Sequence, residues 1–371
     1  MALSDDIADR FVERDLLVMR LESEHQRRAL AAARELERDY LLALRRIDPT
    51  DVDRASAQRA RVERLEAEVW KLSRAAFRKV DNENRAEYVV LAGLLARDTV
   101  DSVNDLSGTR LLTAALGAEG ARRLIEGLTV QGHPIRSWWN GVARKVTDDV
   151  VAEVRKGLDE VPANLTKITR RVRGTEDRNY RNGVREGIGR DISTIIRTTT
   201  QTVSNDARMA VYEQNQDVIR GVQASNPLDS RTSDICRARA GMAWDIRTGE
   251  PFPGTSGSFP GPPPWHFGCR TVLIPILRPA TELRRIRGGR GRTIRRRLER
   301  LERDRRATLD GRPAGDMTFG DWLRKRSEAQ QREILGPGKY DLWKAGQIDM
   351  RQLIDQQGNP MTLAELRARF G

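Results

Sequence analysis

Aromatic residues, cysteine and histidine are scarce in this chain, and no long apolar run occurs. Aromatic residues make up 5% of the 371 residues, and there are two cysteines and three histidines. No apolar stretch approaches the roughly 20 residues that cross a bilayer, so we expect no membrane contact. The few histidines and cysteines leave little material for metal or nucleophilic chemistry, and what there is must be examined residue by residue.

Acidic residues are too few to balance the basic ones, and the net charge is +13. Most of the positive charge is arginine, which binds phosphate and carboxylate through two parallel hydrogen bonds. An excess of this size predicts a polyanionic partner, most simply nucleic acid, or an acidic protein surface. The opening residues, MALSDDIADRFVERD, carry acids where a signal peptide has a basic segment, so we expect the protein to be made in a cytoplasm.

Helix-forming residues dominate what is present. Apolar residues at helical spacing predict one long helix over 4–47 and a second from about 52 to 83, joined by a turn at 48–51. Such a helical hairpin packs either on the rest of its own chain or on a neighbouring subunit. A valine stripe from Val142 to Val154 and a further helix over 185–220 extend the pattern. Trp138 and Trp139 are interpreted as core anchors, with a binding role as the alternative.

The predicted fold is mainly α with a small α+β lobe. We expect a long helical hairpin (1–84), a helical domain (85–221), a compact β-rich clasp (222–279), an Arg-rich linker (280–315) and a C-terminal helical module (316–371). The stretch TVLIPIL, residues 271–277, predicts a β-strand. The final helix is predicted to be capped by Thr362.

The clasp region holds both cysteines, Cys236 and Cys269, together with His266. His266 and Cys269 are three positions apart, which lets one turn offer two metal ligands, and Cys236 would add a third. Zinc would need a fourth ligand, for which Asp229 or water is the candidate. Two alternatives remain: a reduced, buried thiol pair with His266 hydrogen-bonded in the loop, and a disulfide formed after assembly. In each case Asp229, Arg231 and Arg270 are expected to form ion pairs that hold the clasp closed.

A catalytic site is not predicted. His25 and His133 have no sequence neighbours that would form a nucleophile or an acid–base pair, and no glycine-rich phosphate loop is present. We therefore expect no enzyme activity and no cofactor other than the zinc considered above. A zinc-dependent nuclease or a toxin-related enzyme is the weakest alternative, because no general base lies near the metal candidate.

The same residues resemble the phage Mu F-type minor head proteins, the head morphogenesis proteins of tailed bacteriophages. The resemblance covers about 140–371 and rests on Arg197, Thr198, Asn205, Ala207, Arg208, Tyr212, Asp229, Arg231, Thr232, Cys236, Gly241, Pro263, Pro264, His266, Cys269 and Arg270. The C-terminal module resembles the tail of these proteins through Phe319, Trp322, Leu323, Gln330, Leu335, Gly336, Trp343 and Leu363. The chain departs from the family pattern at four positions: Thr199, Ser233, Phe267 and Thr271.

The resemblance implies a virion protein rather than an enzyme. Such proteins lie inside the head near the portal vertex, contact the portal or the major capsid protein, and assist head assembly and DNA packaging or ejection. Self-association through the N-terminal helices is a further expectation. A stand-alone, sequence-nonspecific nucleic-acid-binding protein is the alternative.

The Arg-rich linker is the predicted contact with packaged double-stranded DNA. Residues 284–306 carry twelve arginines against three acids, and such a segment cannot form a core of its own. The alternative is a solvated linker. The predicted contact residues are Arg284, Arg285, Arg287, Arg290, Arg292, Arg295, Arg296, Arg297 and Arg300.

Overall fold

The structure is a computed structural model that describes residues 3–46, 55–113, 116–160, 164–178, 180–227, 229, 231–285, 292, 296, 319–324, 326–355 and 359–371. It is mainly helical with two small antiparallel sheets, which confirms the predicted fold class. Among the described residues, none of the helices combines the length and apolarity of a membrane span.

The helices and strands follow one another along the chain as follows: α1 (Leu3–Leu44), α2 (Ala55–Ser107), α3 (Ala118–Glu126), β1 (Thr129–Val130), β2 (His133–Pro134), α4 (Ile135–Leu158), α5 (Leu165–Arg173), α6 (Val184–Gln214), β3 (Ile219–Ser225), α7 (Asp234–Arg239), β4 (Ala243–Asp245), β5 (Val272–Leu277), α8 (Ala280–Leu283), α9 (Phe319–Arg324), α10 (Glu328–Leu335), α11 (Pro337–Lys344) and α12 (Leu363–Phe370). Short 3-10 turns occur at Glu176–Arg178 and Met350–Leu353.

The chain divides into two compact units. One comprises Met1–Val18, Val89–Glu126 and Gln201–Gly371; the other comprises Met19–Tyr88 and Gly127–Thr200. The second unit is all helical apart from the two-residue strands β1 and β2. The first unit holds the three-stranded sheet, the clasp and the C-terminal module.

Helix α1 buries the face that its apolar spacing predicts. Ala29, Ala33, Leu36, Tyr40 and Leu44 are all buried. The predicted turn at 48–51 lies outside the described residues. Apolar spacing thus identified the buried side of this helix correctly.

Helix α2 is longer than predicted. It runs to Ser107 rather than ending near residue 83, so it continues through the predicted boundary at 84/85. The buried residues Tyr88, Ala92, Ala96 and Val103 keep the helical spacing over this extension. A glycine with φ of +63°, Gly108, follows the helix directly and ends it.

The tryptophan pair lies in the second unit and anchors its core. Trp139 is 3% exposed and stacks on Phe77, with ring centroids 5.8 Å apart. Trp138 donates its indole N–H to the carbonyl of Val130 at 2.9 Å, which fixes the β1–β2 turn onto α4. The core-anchor interpretation is confirmed. His25 in the same unit is buried against Glu87, with 2.6 Å between Nε2 and Oε2.

Helix α6 ends earlier than predicted, and the clasp begins earlier. The helix stops at Gln214 instead of residue 220, and β3 occupies the predicted last turn. Strand β3 lies between β4 and β5, and both pairings are antiparallel. A central strand of this sheet is buried on both faces, so its apolar run carries no two-residue alternation. Strand β5, Val272–Leu277, confirms the strand predicted at 271–277.

The C-terminal module is a set of short helices around its own core. Phe319, Leu323, Tyr340, Leu353 and Leu366 are buried at its centre. Thr362 caps α12 as predicted, its side chain accepting from the backbone N–H of Glu365. Similar reciprocal caps at Ser327 and Asp349 start the neighbouring turns, and each such cap contributes about 1 kcal/mol.

Candidate functional site

The clasp is built on the sheet β4–β3–β5 and the short helix α7. Ser233 caps α7 by accepting the backbone N–H of Cys236, which holds Cys236 in the first turn. A loop rich in glycine and proline then leads from β4 to His266, and Cys269 follows three positions later, just before β5. The fold therefore brings together residues that are more than thirty positions apart.

The three predicted metal ligands lie side by side. Their candidate ligand atoms all fall within 4.8 Å of one another. The Sγ atoms of Cys236 and Cys269 are 3.6 Å apart, and Nε2 of His266 is 3.0 Å from Sγ of Cys236. Both thiols are buried, at 3% and 1% exposure. The sulfur atoms are in contact but are not bonded, because a disulfide would bring them to about 2.05 Å.

The environment separates the two thiols in acidity. The hydrogen bond with Cys236 holds the pKa of Cys269 well below its usual range, and the neighbouring His266 adds to this effect. The same contact, together with burial, raises the pKa of Cys236. Burial lowers the pKa of His266, but its contact with Cys269 outweighs burial and the pKa is raised. The cluster therefore favours one thiolate, at Cys269.

Two hydroxyls complete the cluster, and both stand at positions where the chain departs from the family pattern. Ser233 Oγ is 2.7 Å from Nε2 of His266. Thr271 Oγ1 is 3.2 Å from Sγ of Cys236 and 3.4 Å from Sγ of Cys269. The departures therefore place hydroxyls, where related sequences carry thiols, in direct contact with the remaining cysteines and histidine.

Asp229 closes the clasp but is not a metal ligand. Its carboxylate accepts two hydrogen bonds from the Arg270 guanidinium, at 2.7 and 2.8 Å, which confirms the expected ion pair. It also accepts the backbone N–H of Arg231 at 3.0 Å and the hydroxyl of Thr232 at 3.2 Å. Both oxygens are thus engaged away from the sulfur atoms. The suggestion that Asp229 supplies a fourth zinc ligand is wrong, and Arg231 contributes its backbone.

The Asp229–Arg270 pair predicts a defined acid sensitivity. The hydrogen bonds from Arg270 lower the pKa of Asp229 from 3.8 to about 2. Because the folded pKa is below the unfolded one, the contribution is complete above about pH 4 and is lost as the pH falls towards about 2. The pair is partly exposed, so we expect Asp229→Asn to cost about 1 kcal/mol at neutral pH. Urea unfolding of both proteins at neutral pH and near pH 2 measures the difference, which should shrink to near zero in acid.

The matched control for this prediction is Asp341→Asn. Asp341 pairs with Arg332 at 3.2 Å on the surface of the C-terminal module, and both side chains are about half exposed. Its substitution should change the free energy of unfolding by less than about 0.5 kcal/mol at either pH. An Asp229→Asn deficit that is the same in acid as at neutral pH would contradict the assignment.

The part of α6 in the first unit holds the outer edge of β5. Asn205 accepts the backbone N–H of Leu273 at 3.2 Å, and Tyr212 donates its hydroxyl to the Leu273 carbonyl at 2.8 Å. Gln201 and Asn205 both donate to the carbonyl of Thr271 at 3.0 Å. Side chains of a helix thus satisfy the polar groups of an edge strand that would otherwise lie open to another chain.

The sequence reasoning missed two residues of this arrangement. Gln201 lies one helical turn before Asn205, and polar residues at that spacing on an otherwise apolar face were a usable signal. Asn226 donates to Thr271 Oγ1 at 2.8 Å and to the carbonyl of Cys236 at 3.1 Å, joining α7 to β5. No sequence pattern pointed to Asn226, because its partners are distant along the chain.

The predicted DNA-contact segment is described at only four of its positions. Arg284 and Arg285 follow α8 and are exposed, as are Arg292 and Arg296. The other predicted contacts, Arg287, Arg290, Arg295, Arg297 and Arg300, lie outside the described residues. The structure therefore does not bring the arginines of this segment together into a site.

Comparison with known families gives one match, over residues 146–274, to the family described as Phage Mu protein F like protein. Comparison with the curated proteins and with the solved structures gave no match. The matched segment contains α6, β3, α7, β4, the thiol–imidazole cluster and the start of β5. The resemblance noted beyond residue 274 stays a prediction. Over residues 146–274 the chain belongs with the phage Mu F-like head morphogenesis proteins, which confirms the resemblance found in the sequence for that segment.

Proposed function

We propose that the protein is a minor head protein of a tailed bacteriophage that lies inside the head at the portal vertex. There it assists head assembly and the packaging or delivery of the genome. The observation that carries the proposal is the match over residues 146–274, which coincides with a closed, hydrogen-bonded structural element. Contact with the portal or the major capsid protein is part of the proposal.

A structural role, rather than an enzymatic one, is supported by burial. A thiolate beside an imidazole is the usual arrangement of a cysteine nucleophile. Here both sulfur atoms are more than nine-tenths buried, and Asn226, Thr271 and Ser233 occupy their surroundings. A substrate could reach neither sulfur without opening the clasp. The arrangement is that of a closure holding α7 against β5.

The test of the proposed function is genetic. A stop codon early in the gene, in the phage or prophage that encodes this chain, should reduce the yield of DNA-filled heads by at least about tenfold. Supplying the wild-type chain in trans should restore it, and electron microscopy of lysates measures the yield. Normal numbers of filled, infectious heads without the protein would contradict the proposal.

DNA contact through the Arg-rich linker is the second part of the proposal. Arginines bind the phosphate backbone without reading sequence, and the affinity then falls steeply with salt. The exposed Arg292 and Arg296 and the +13 net charge support this interpretation. A linker joining the clasp to the C-terminal module would let DNA contact occur beside a fixed structural element.

Replacing Arg295, Arg296 and Arg297 together with alanine should weaken binding to double-stranded DNA by about tenfold or more at low salt, because three phosphate contacts are lost. The salt dependence should become shallower by about three contacts' worth. A gel-shift titration with unrelated DNA sequences at several salt concentrations measures both quantities.

The matched control removes the same charge elsewhere. Arg27, Arg38 and Arg178 have side chains about three-quarters exposed, far along the chain from the linker. Their joint replacement with alanine should leave DNA binding within about twofold. Equal loss in the two triple variants would show that net charge, not the linker, governs binding.

A further inference from the structure

We propose that Cys236, His266 and Cys269 bind one zinc ion, and that this ion locks α7 in the position on which the C-terminal module is docked. The proposal concerns the clasp itself and does not depend on the phage assignment. It is argued from the ligand geometry, from the orientation of the histidine and from the contacts of α7.

The spacing of the three ligand atoms fits a tetrahedral site. With zinc–sulfur bonds of about 2.3 Å, two sulfur ligands lie roughly 3.8 Å apart. The observed separation of the Cys236 and Cys269 sulfur atoms is 3.6 Å. The 3.0 Å between Nε2 of His266 and Sγ of Cys236 must open by about 0.5 Å when a metal enters. His266 is only half-buried, so its ring has room for that movement.

The histidine is oriented as a metal ligand. Its Nδ1 lies 2.8 Å from the carbonyl of Phe267, an atom that only accepts hydrogen bonds. Nδ1 therefore carries the proton, and Nε2 directs its lone pair into the sulfur cluster. Histidines that bind metals almost always donate their other ring N–H to a carbonyl or carboxylate in this manner.

The surroundings suit two thiolates and a soft metal. The Thr271 hydroxyl lies within hydrogen-bond reach of both sulfur atoms. Ser233 Oγ, at 2.7 Å from Nε2 of His266, stands where it can hold a water as fourth ligand. Two sulfur ligands and one imidazole favour zinc over magnesium or calcium, which take oxygen ligands.

Helix α7 connects the proposed metal to the C-terminal module. The helix is six residues long, and Cys236 lies between Asp234 and Arg237. Asp234 accepts Nζ of Lys339 at 2.5 Å, and the Arg237 guanidinium lies 5.2 Å from the ring centroid of Phe319. Arg237 also pairs with Asp234 at 3.0 Å. An ion bound at Cys236 would therefore fix the element that carries the module.

Metal analysis and cobalt substitution on the full chain test the site. We expect about one zinc per chain after purification without chelator, and intense sulfur-to-cobalt charge-transfer absorption when Co²⁺ is added to zinc-free protein. Cys236→Ser and Cys269→Ser should each weaken Co²⁺ binding by at least about a hundredfold and reduce that absorption. His133→Asn, which changes an exposed histidine outside the clasp, should leave both unchanged.

Three results would overturn the metal site. They are a cobalt complex of the wild-type chain without sulfur charge transfer, equal metal binding by Cys269→Ser, and wild-type protein with no free thiols in denaturant, which would show a disulfide. The first and third use the wild-type chain and are independent of whether the variants fold. Wild-type protein with two free thiols and no affinity for Zn²⁺ or Co²⁺ would overturn it equally.

Hydrogen exchange tests the coupling to the module. Removing zinc from the wild-type chain with a chelator should speed amide exchange in α10 and α11 by about tenfold or more, because α7 is released. The same chelator should have no effect on Cys236→Ser. Unchanged exchange in the wild-type chain after zinc removal would show that the metal does not hold the module.

Discussion

Replacing Gly221 with alanine should destabilise the clasp by at least about 3 kcal/mol. A Cβ atom at this position would lie 2.4 Å from the backbone oxygen of Trp244 and 2.5 Å from the ring of Phe252. Gly221 is paired with Asp245 of β4 and lies at a bulge in the pairing with β5, so its backbone has no free direction to move. Overpacking that must shift backbone rather than a flexible side chain lies at the costly end of its range.

The control for Gly221→Ala is Gly93→Ala in the same unit. Gly93 lies within α2, and a Cβ there would meet nothing within 4 Å. Alanine should therefore stabilise the helix by about 1 kcal/mol, the difference in helix propensity. Urea unfolding followed by tryptophan fluorescence, which includes the buried Trp244, measures both variants. Substitutions of equal sign would contradict the close packing assigned to Gly221.

Replacing Asn205 with leucine should have the second largest effect, a loss of about 3 kcal/mol. The side chain is completely buried and makes hydrogen bonds to the Thr271 carbonyl and the Leu273 N–H. Leucine has a similar volume but leaves the Leu273 N–H buried without a partner, which costs about 1–3 kcal/mol in addition to the lost bonds. Amide exchange at Leu273 should accelerate by about a hundredfold, and thermal unfolding should shift accordingly.

Thr194→Ala is the matched control on the same helix. The Thr194 hydroxyl donates only to the carbonyl one turn earlier, Arg190, at 2.9 Å. Its removal should change the free energy of unfolding by less than about 0.5 kcal/mol. If Leu273 exchanged at the same rate in Asn205→Leu as in wild-type protein, the edge of β5 would be held by other contacts.

Local periodicity accounts for most of what the sequence predicted correctly. Val142, Val146, Val150 and Val154 of α4 are all buried, as their spacing requires. The end of α6 was wrong because Ile219–Ser225 is helix-compatible in composition and becomes a strand through its pairing with β4 and β5. Pairing partners that are distant in sequence decide such a segment, and a local pattern does not contain them.

The candidate site was predictable where rare residue types identified it. Cys236, His266 and Cys269 were selected by their scarcity, and the structure brings them together. The role of Asp229 was half predicted: the ion pair with Arg270 is present, but that pair takes up the oxygens a metal would need. The hydroxyls of Ser233 and Thr271 gained meaning only from their positions around the sulfur atoms.

The protein content of purified virions and of empty heads tests the central claim most directly. Mass spectrometry of the phage that encodes this chain should find it in DNA-filled virions, at few copies per head compared with the major capsid protein. If the chain also assists delivery, virions that have ejected their DNA should contain less of it. Its absence from both filled virions and empty heads, in a lysate where the free protein is abundant, would contradict its assignment as a minor head protein.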